Sequence, residues 1–246
     1  IEKDLKPKAV IFDLGLSSLQ LSDLKRGFSF NSQSFLNMEM GINEYSAYDV
    51  INTLDKDDLF KIIKILGEEK DAKIIANKID KYRSIKPIKT SKELSSIIGE
   101  AKKNYKNYKR NPATKTFQAI RIFVNQELTE LILGLIEATK ILKNDGILIV
   151  ISFHSLEDKI VKNFFNLYSN SKKNPSRYLP ITESKSRLFK FVSKKPFTAD
   201  KKELNENFRS RSAKLRFASR NDSHFFYPNE FKNKFINYLK LESNYT

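Results

Sequence analysis

Any chemistry in this chain rests on carboxylates, amides, hydroxyls and rings. There are no cysteines and only two histidines, His154 and His224. Disulfides, thiol catalysis and Cys-ligated zinc or iron–sulfur clusters are therefore excluded, and a His-rich metal site lacks ligands, so no metal is expected. Asp13 closes the apolar run Ala9-Val-Ile-Phe12 and is followed by Leu14-Gly15. Apolar strand, carboxylate, glycine is how a buried parallel strand meets its C-terminal loop, and open α/β sheets bind ligands at such strand ends. A carboxylate there accepts hydrogen bonds from amino or hydroxyl groups; the competing reading is a helix N-cap or loop acid. Gln20 offers an amide that donates and accepts together, although a lone loop glutamine is usually just solvated. His154 and Ser155 follow a second apolar run, Gly146 to Phe153. At that strand end substrate contact competes with a capping role for Ser155, with Asp158 as an approximate capping-box partner. Ser17, Ser18 and His154 do not make a hydrolase, because the G-x-S-x-G nucleophile elbow is missing.

Rings and cations form the second group of candidates. Phe28 and Phe30 flank a serine in a glycine-containing loop. Such rings either stack on an extruded base or pin the loop to the core. Lys115 and Arg121 flank the start of a long apolar-periodic stretch, and Arg209, Arg211, Lys214 and Arg216 form a basic cluster. Arg209 and Arg211 share one face if their segment is extended; phosphate contact is the preferred role, and a solvated basic hairpin the alternative. The whole chain carries 45 Lys plus Arg against 29 Asp plus Glu, a net charge of +16. A polyanion suits that surface, because cations on phosphates release condensed counterions. A Lys-rich solvated surface in an AT-rich genome is the bland alternative.

The elements that must hold these residues follow from periodicity. Strands are expected at Ala9 to Phe12, Ile147 to Phe153, Leu188 to Val192 and Ala213 to Ala218. Gly15 to Met40 reads as loop. Helices are expected at Ala47 to Thr53, Asp57 to Leu66, Ala72 to Tyr82 and Ser91 to Ala101, with Asp57 and Ser91 as N-caps. Lys102 to Arg110 reads as an exposed basic loop. One long amphipathic helix is expected from Thr116 to Leu142, ended at Asn144-Asp145-Gly146 with the glycine as C-cap. A helix over Leu156 to Tyr168 and a last one around Glu230 to Leu241 complete the chain. This order is the second half of a doubly wound α/β domain closed by an antiparallel hairpin, interrupted by helices. No apolar run approaches the roughly 20 residues of a membrane span, and no signal peptide is read, so no membrane contact and a cytoplasmic location are expected.

Four stretches go further. They are Asp13-Leu-Gly-Leu-Ser-Ser-Leu-Gln20 with Arg26-Gly-Phe-Ser-Phe30; Asn111-Pro-Ala-Thr-Lys-Thr-Phe-Gln-Ala-Ile-Arg121 with Asn125-Gln-Glu-Leu128; Ser152-Phe-His-Ser-Leu-Glu-Asp-Lys-Ile-Val-Lys162; and Arg209-Ser-Arg-Ser-Ala-Lys-Leu-Arg216. Together, in order from about Ala9 to Arg220, they closely resemble the MraW/RsmH family, the ribosomal RNA small subunit methyltransferase H proteins. The resemblance implies a class I S-adenosylmethionine-dependent methyltransferase with a Rossmann-like α/β sheet. It also implies methyl transfer to N4 of a cytidine in the 16S rRNA decoding region, with the small ribosomal subunit as partner. On that reading residues 1–40 and 113–222 belong to the methyltransferase domain, 41–112 are an inserted helical domain for substrate recognition, and 223–246 are a helical tail. Asp13 and Gln20 match cofactor contacts, and Asp13 alternatively holds the target amino group. Phe28, Phe30, His154, Ser155, Arg209, Arg211 and Lys214 are the candidates for substrate RNA.

The chain also departs from the family pattern. Asn37 and Glu39 stand where the family usually has an acid and a base, and Leu19 replaces a usual proline. The family's opening strand, glycine-rich loop and ribose-binding acid have no counterpart, and the first residue is Ile1. The expectation is an N-terminally truncated sheet, cut from a longer protein, that binds cofactor poorly by itself. The rival reading is a catalytically inactive RNA-binding relative acting in ribosome assembly; a third is methylation of DNA cytosine.

Overall fold

The computed structural model describes residues 6–41, 45–102, 111–169 and 187–243. Strands β1 (Ala9–Asp13), β2 (Ile147–Ser152), β3 (Phe189–Val192) and β4 (Lys214–Arg220) form one sheet. In chain order the helices are α1 (Ser18–Ser22), α2 (Ala47–Thr53), α3 (Lys56–Leu66), α4 (Ala72–Arg83), α5 (Ser91–Ala101), α6 (Thr114–Val124), α7 (Glu127–Ile141), α8 (Ser155–Leu167), α9 (Lys201–Glu206), α10 (Asn229–Lys234) and α11 (Ile236–Ser243). Two compact units divide the chain, 1–15 with 128–238, and 16–127 with 239–246. Residues 16–40 and α6 thus cluster with the 41–112 stretch. No helix of the described residues is long and apolar enough to cross a membrane.

The first unit is the sheet with its helices. Strand order is β1-β2-β4-β3. β1 runs parallel to β2, and β4 runs antiparallel to both β2 and β3. This mixed α/β sheet with helices packed on it is the class of architecture expected from the sequence. β2 lies inside the sheet and alternates as a half-covered strand should, with Leu148, Val150 and Ser152 buried. β1 does not match the expectation of a buried strand. It is the sheet's edge, no described strand pairs with its outer side, and Ile11 is 63% exposed. Ile11 shares a sheet face with Ile147 of the inner strand, itself 40% exposed, so its exposure belongs to that face and not to the open edge alone. Its inner packing is nonetheless close: a Cβ on Gly134 of α7 would stand 3.3 Å from two ring carbons of Phe12. A cluster of rings from α8 (Phe164, Phe165), β3 (Phe189) and α10 (Phe231) forms the other core, with Phe164 and Phe231 centroids 4.7 Å apart. The Phe231 N–H donates to the Tyr168 hydroxyl at 3.1 Å, docking the tail.

The second unit is helical. α3 buries Leu59, Ile62, Ile63 and Leu66, a spacing that makes one face, and packs on α4 and α6. Its end, Gly67, approaches α6 so closely that a Cβ there would lie 2.6 Å from the Lys115 carbonyl oxygen. The N-caps differ from those expected. α3 starts after Asp55, leaving Asp57 in the first turn. Thr90 rather than Ser91 caps α5, in a reciprocal box with Glu93. Lys102, buried at the end of α5, pairs with the equally buried Glu69 and donates to the Pro112 carbonyl at 2.9 Å. The basic loop expected after it lies, from residue 103 to 110, outside the described residues.

Three more expectations are corrected. The long helix over Thr116 to Leu142 is two helices broken at Asn125 and Gln126, where Gln126 adopts φ 48°. The tail helix is likewise two, broken at Phe235. At the end of α7, Asp145 and not Gly146 takes the left-handed conformation, φ 64°. Gly146 is needed for closeness instead, since a Cβ there would sit 2.8 Å from the Lys143 carbonyl oxygen and from Leu142 Cγ.

Candidate active site

In the first unit the sheet register lines up Asp13 of β1 with Ile151 of β2, Ile151 with Leu215 of β4, and Leu215 with Phe197. β1 and β2 both end along this row, so it is the carboxyl edge of the parallel pair, where α/β sheets bind ligands. The Leu14 N–H donates to the Ile151 carbonyl at 3.1 Å, carrying the ladder one residue past Asp13. Gly15, at φ 87°, then turns the backbone away. Asp13 is left exposed, and no described residue donates a hydrogen bond or pairs with its carboxylate.

The stretch after β2 is a helix start rather than a free catalytic loop. His154 is the N-cap of α8: its Nδ1 accepts from the Glu157 N–H at 3.4 Å. In return the Glu157 carboxylate accepts from the N–H groups of Phe153, 2.8 Å, and His154, 3.2 Å. The capping box is therefore His154 with Glu157, not Ser155 with Asp158 as the sequence suggested. Glu157 is only 3% exposed, and sequence reasoning missed it. The signal was there, a glutamate three residues after a cap position, but histidine is not among the usual caps. On the other imidazole nitrogen, Nε2 is buried without an aligned hydrogen bond, although Glu157 Oε1 lies 3.1 Å away.

Asp158 does something else. Its carboxylate accepts from Arg216 Nε at 2.7 Å and from Lys214 Nζ at 3.1 Å. Burial pushes this carboxyl up, but the hydrogen bonds and charges of Arg216 and Lys214 outweigh it and hold the group below the usual carboxylate range. The pair ties β4 to α8, so Lys214, an RNA candidate, is already engaged. Arg209 and Arg211 are not extended neighbours: they lie in a 3-10 turn, Phe208–Ser212, and both are exposed. The Arg211 guanidinium sits 4.6 Å from the Phe208 ring centroid. Sequence reasoning passed over Phe208.

In the second unit, the Gln20 side chain completes a capping box: its Oε1 accepts from the Ser17 N–H at 2.9 Å, and Ser17 Oγ accepts from the Gln20 N–H at 3.1 Å. The segment expected to be loop thus contains α1. Phe28 is buried, with the Arg26 guanidinium 5.6 Å from its ring centroid, and Phe30 packs edge-on against Phe117 at 4.8 Å. Of the departures, Asn37 Oδ1 accepts from the Glu39 N–H at 2.9 Å, a turn that an aspartate would make equally well. Arg26 donates to the Glu39 carbonyl at 2.8 Å. Asn125 holds the same loop from afar, donating to the Met38 carbonyl at 2.9 Å and accepting from the Met40 N–H at 2.7 Å. Arg121 pairs two-pronged with Glu127, 2.7 and 2.8 Å, and Lys115 donates to the Glu68 carbonyl at 2.8 Å. These motif residues therefore build the loop and helix ends of this unit.

Comparison with known proteins agrees with the motifs. The model of the MraW methylase family matches residues 2–221. Among similar curated proteins, the ribosomal RNA small subunit methyltransferase H of Bartonella bacilliformis is 46% identical over 215 residues, 87% of this chain and 65% of its own length. Its counterpart in Caldicellulosiruptor saccharolyticus is 46% identical over 216 residues, 87% of this chain and 70% of its own. That of Bartonella quintana is 44% identical over 218 residues, 89% of this chain and 65% of its own. The chain thus spans about two thirds of the length of these relatives. With the fold, the ordered motifs and the match over 2–221 in agreement, this chain belongs to the MraW methylase family.

Proposed function

We propose that the protein transfers a methyl group from S-adenosylmethionine to N4 of a cytidine in the decoding region of 16S ribosomal RNA, acting on the small ribosomal subunit. The observation that carries this reading is the placement of Asp13: an exposed carboxylate without a partner among the described residues, at the carboxyl edge of the parallel strands. The names of the similar proteins support the rRNA substrate.

The residues present suit part of the cofactor. A free carboxylate at a strand end accepts from amino or ribose hydroxyl groups. The backbone approach of a glycine-rich loop has no match within this chain, whose seven glycines stand at least 12 residues apart. When bound, S-adenosylmethionine supplies an electrophilic methyl group on a sulfonium. Cytidine's amino nitrogen is a poor nucleophile because its lone pair is delocalised into the ring. An acceptor that holds one of its N–H groups fixes the direction of the lone pair and receives the proton, and orientation of this kind carries much of the rate in a displacement. Asp13 serves either as this acceptor or as a cofactor contact; the edge supports both roles.

The test is Asp13→Ala in the full-length gene product, assayed for methylation of small subunits and for RNA binding. Methylation falls to background while RNA affinity stays within a factor of two or so. Retained methylation removes Asp13 from the mechanism. Binding of RNA weakens steeply with salt, as several phosphates are neutralised.

A further inference from the structure

The 3-10 turn Phe208–Ser212 enters β4 just before Leu215, so it sits at the same edge of the sheet where β1 and β2 end. Phe208 stands 68% exposed there, and Phe197, bridged to Leu215 on the same row, 60%. A single exposed ring is ordinary; here two rings share one sheet edge with a basic segment of the chain. The Phe208 ring is not loose: the Arg211 guanidinium lies 4.6 Å from its centroid, which covers one face and leaves the other open. The segment that carries it is basic. Residues 194–214 hold seven Lys and Arg against three Asp and Glu. Lys194, Lys195, Lys201 and Lys202 are exposed and make no ion pair among the described residues.

We infer that Phe208 is a stacking platform for an unpaired base of the substrate RNA, with Arg211 clamping the ring from behind and Arg209 contacting the adjoining phosphate. This rests on the RNA-directed reading above and names the part of the surface that receives the strand. An aromatic face takes any base, because every base has a π-face, and neighbouring cations follow the backbone. A protein partner would want a drier patch with fewer charges, since charged residues are depleted at the cores of such interfaces.

The 246 residues contain no tryptophan, so Phe208→Trp installs a fluorescent reporter at the site, read as the difference from the emission of the parent protein. The full-length protein carrying it is titrated with a mixed-sequence single-stranded RNA and with an abasic oligomer of equal length. RNA binds as it does to the wild type and quenches the tryptophan, whereas the abasic oligomer binds more weakly without quenching. Phe208→Ala, an exposed change whose fold is checked by circular dichroism, weakens RNA binding about 5- to 150-fold, the range for one stacked base. That loss persists at high salt, while the loss from Arg209→Ala shrinks. Wild-type affinity in Phe208→Ala, or unchanged tryptophan emission at saturation, overturns the inference and leaves the RNA reading standing. Absence of RNA binding by the wild type overturns both.

Discussion

Replacing Asp158 with alanine should destabilise the sheet unit far more than a surface change would. Its carboxylate is 13% exposed and accepts from Arg216 Nε at 2.7 Å and Nη2 at 3.4 Å, and from Lys214 at 3.1 Å. The Arg216 side chain is 6% exposed. Removing Asp158 leaves that guanidinium buried without a counter-charge, which costs about 3–5 kcal/mol. The Lys214 side chain is 42% exposed and adds at most about 1 kcal/mol. The expected loss is therefore about 3 kcal/mol or more, read from urea unfolding at pH 7. Arg216→Met in the Asp158→Ala background removes the orphaned charge and recovers much of the loss, so the two single effects exceed the double. The pH dependence has a definite sign. In the folded protein this carboxyl lies below its ordinary value, so its contribution is full above the unfolded pKa of about 3.9 and fades as pH falls through the folded value. The gap between wild type and Asp158→Ala stays level from pH 7 to 5 and closes in more acid solution. Additive single mutants, or a gap that widens in acid, refute this account.

Two further changes test the helical unit. Gly67→Ala places a Cβ 2.6 Å from the carbonyl oxygens of both Ile63 and Lys115; the helices must separate, at a cost of about 1–3 kcal/mol in thermal or urea unfolding. Lys102→Met leaves Glu69 buried without its charge partner, about 3–5 kcal/mol, and Glu69→Gln in the same background restores part of the loss.

Local sequence settled a good part of this molecule. The periods of apolar residues placed α2, α4 and α5 within a residue of their ends, because each helix buries one stripe and is stopped by nearby capping or charged groups. The ordered motifs marked the family, and the apolar-then-Asp13 pattern placed the carboxyl end of β1. What only the tertiary structure decided depends on partners far along the chain. The apolar period runs unbroken through Asn125, yet the helix ends there because its side chain is taken up by the backbone at Met38 and Met40. The His154–Glu157 box, the engagement of Lys214 by Asp158, and the 3-10 turn that separates Arg209 from Arg211 on the surface were equally illegible. β1 shows the same limit from the other side: its residues are apolar enough for a core, but burial belongs to neighbours, and Ile11 stays 63% exposed among the described residues. Sequence determines what a residue prefers and which chemistry it carries. The fold determines which of its possible partners reaches it first.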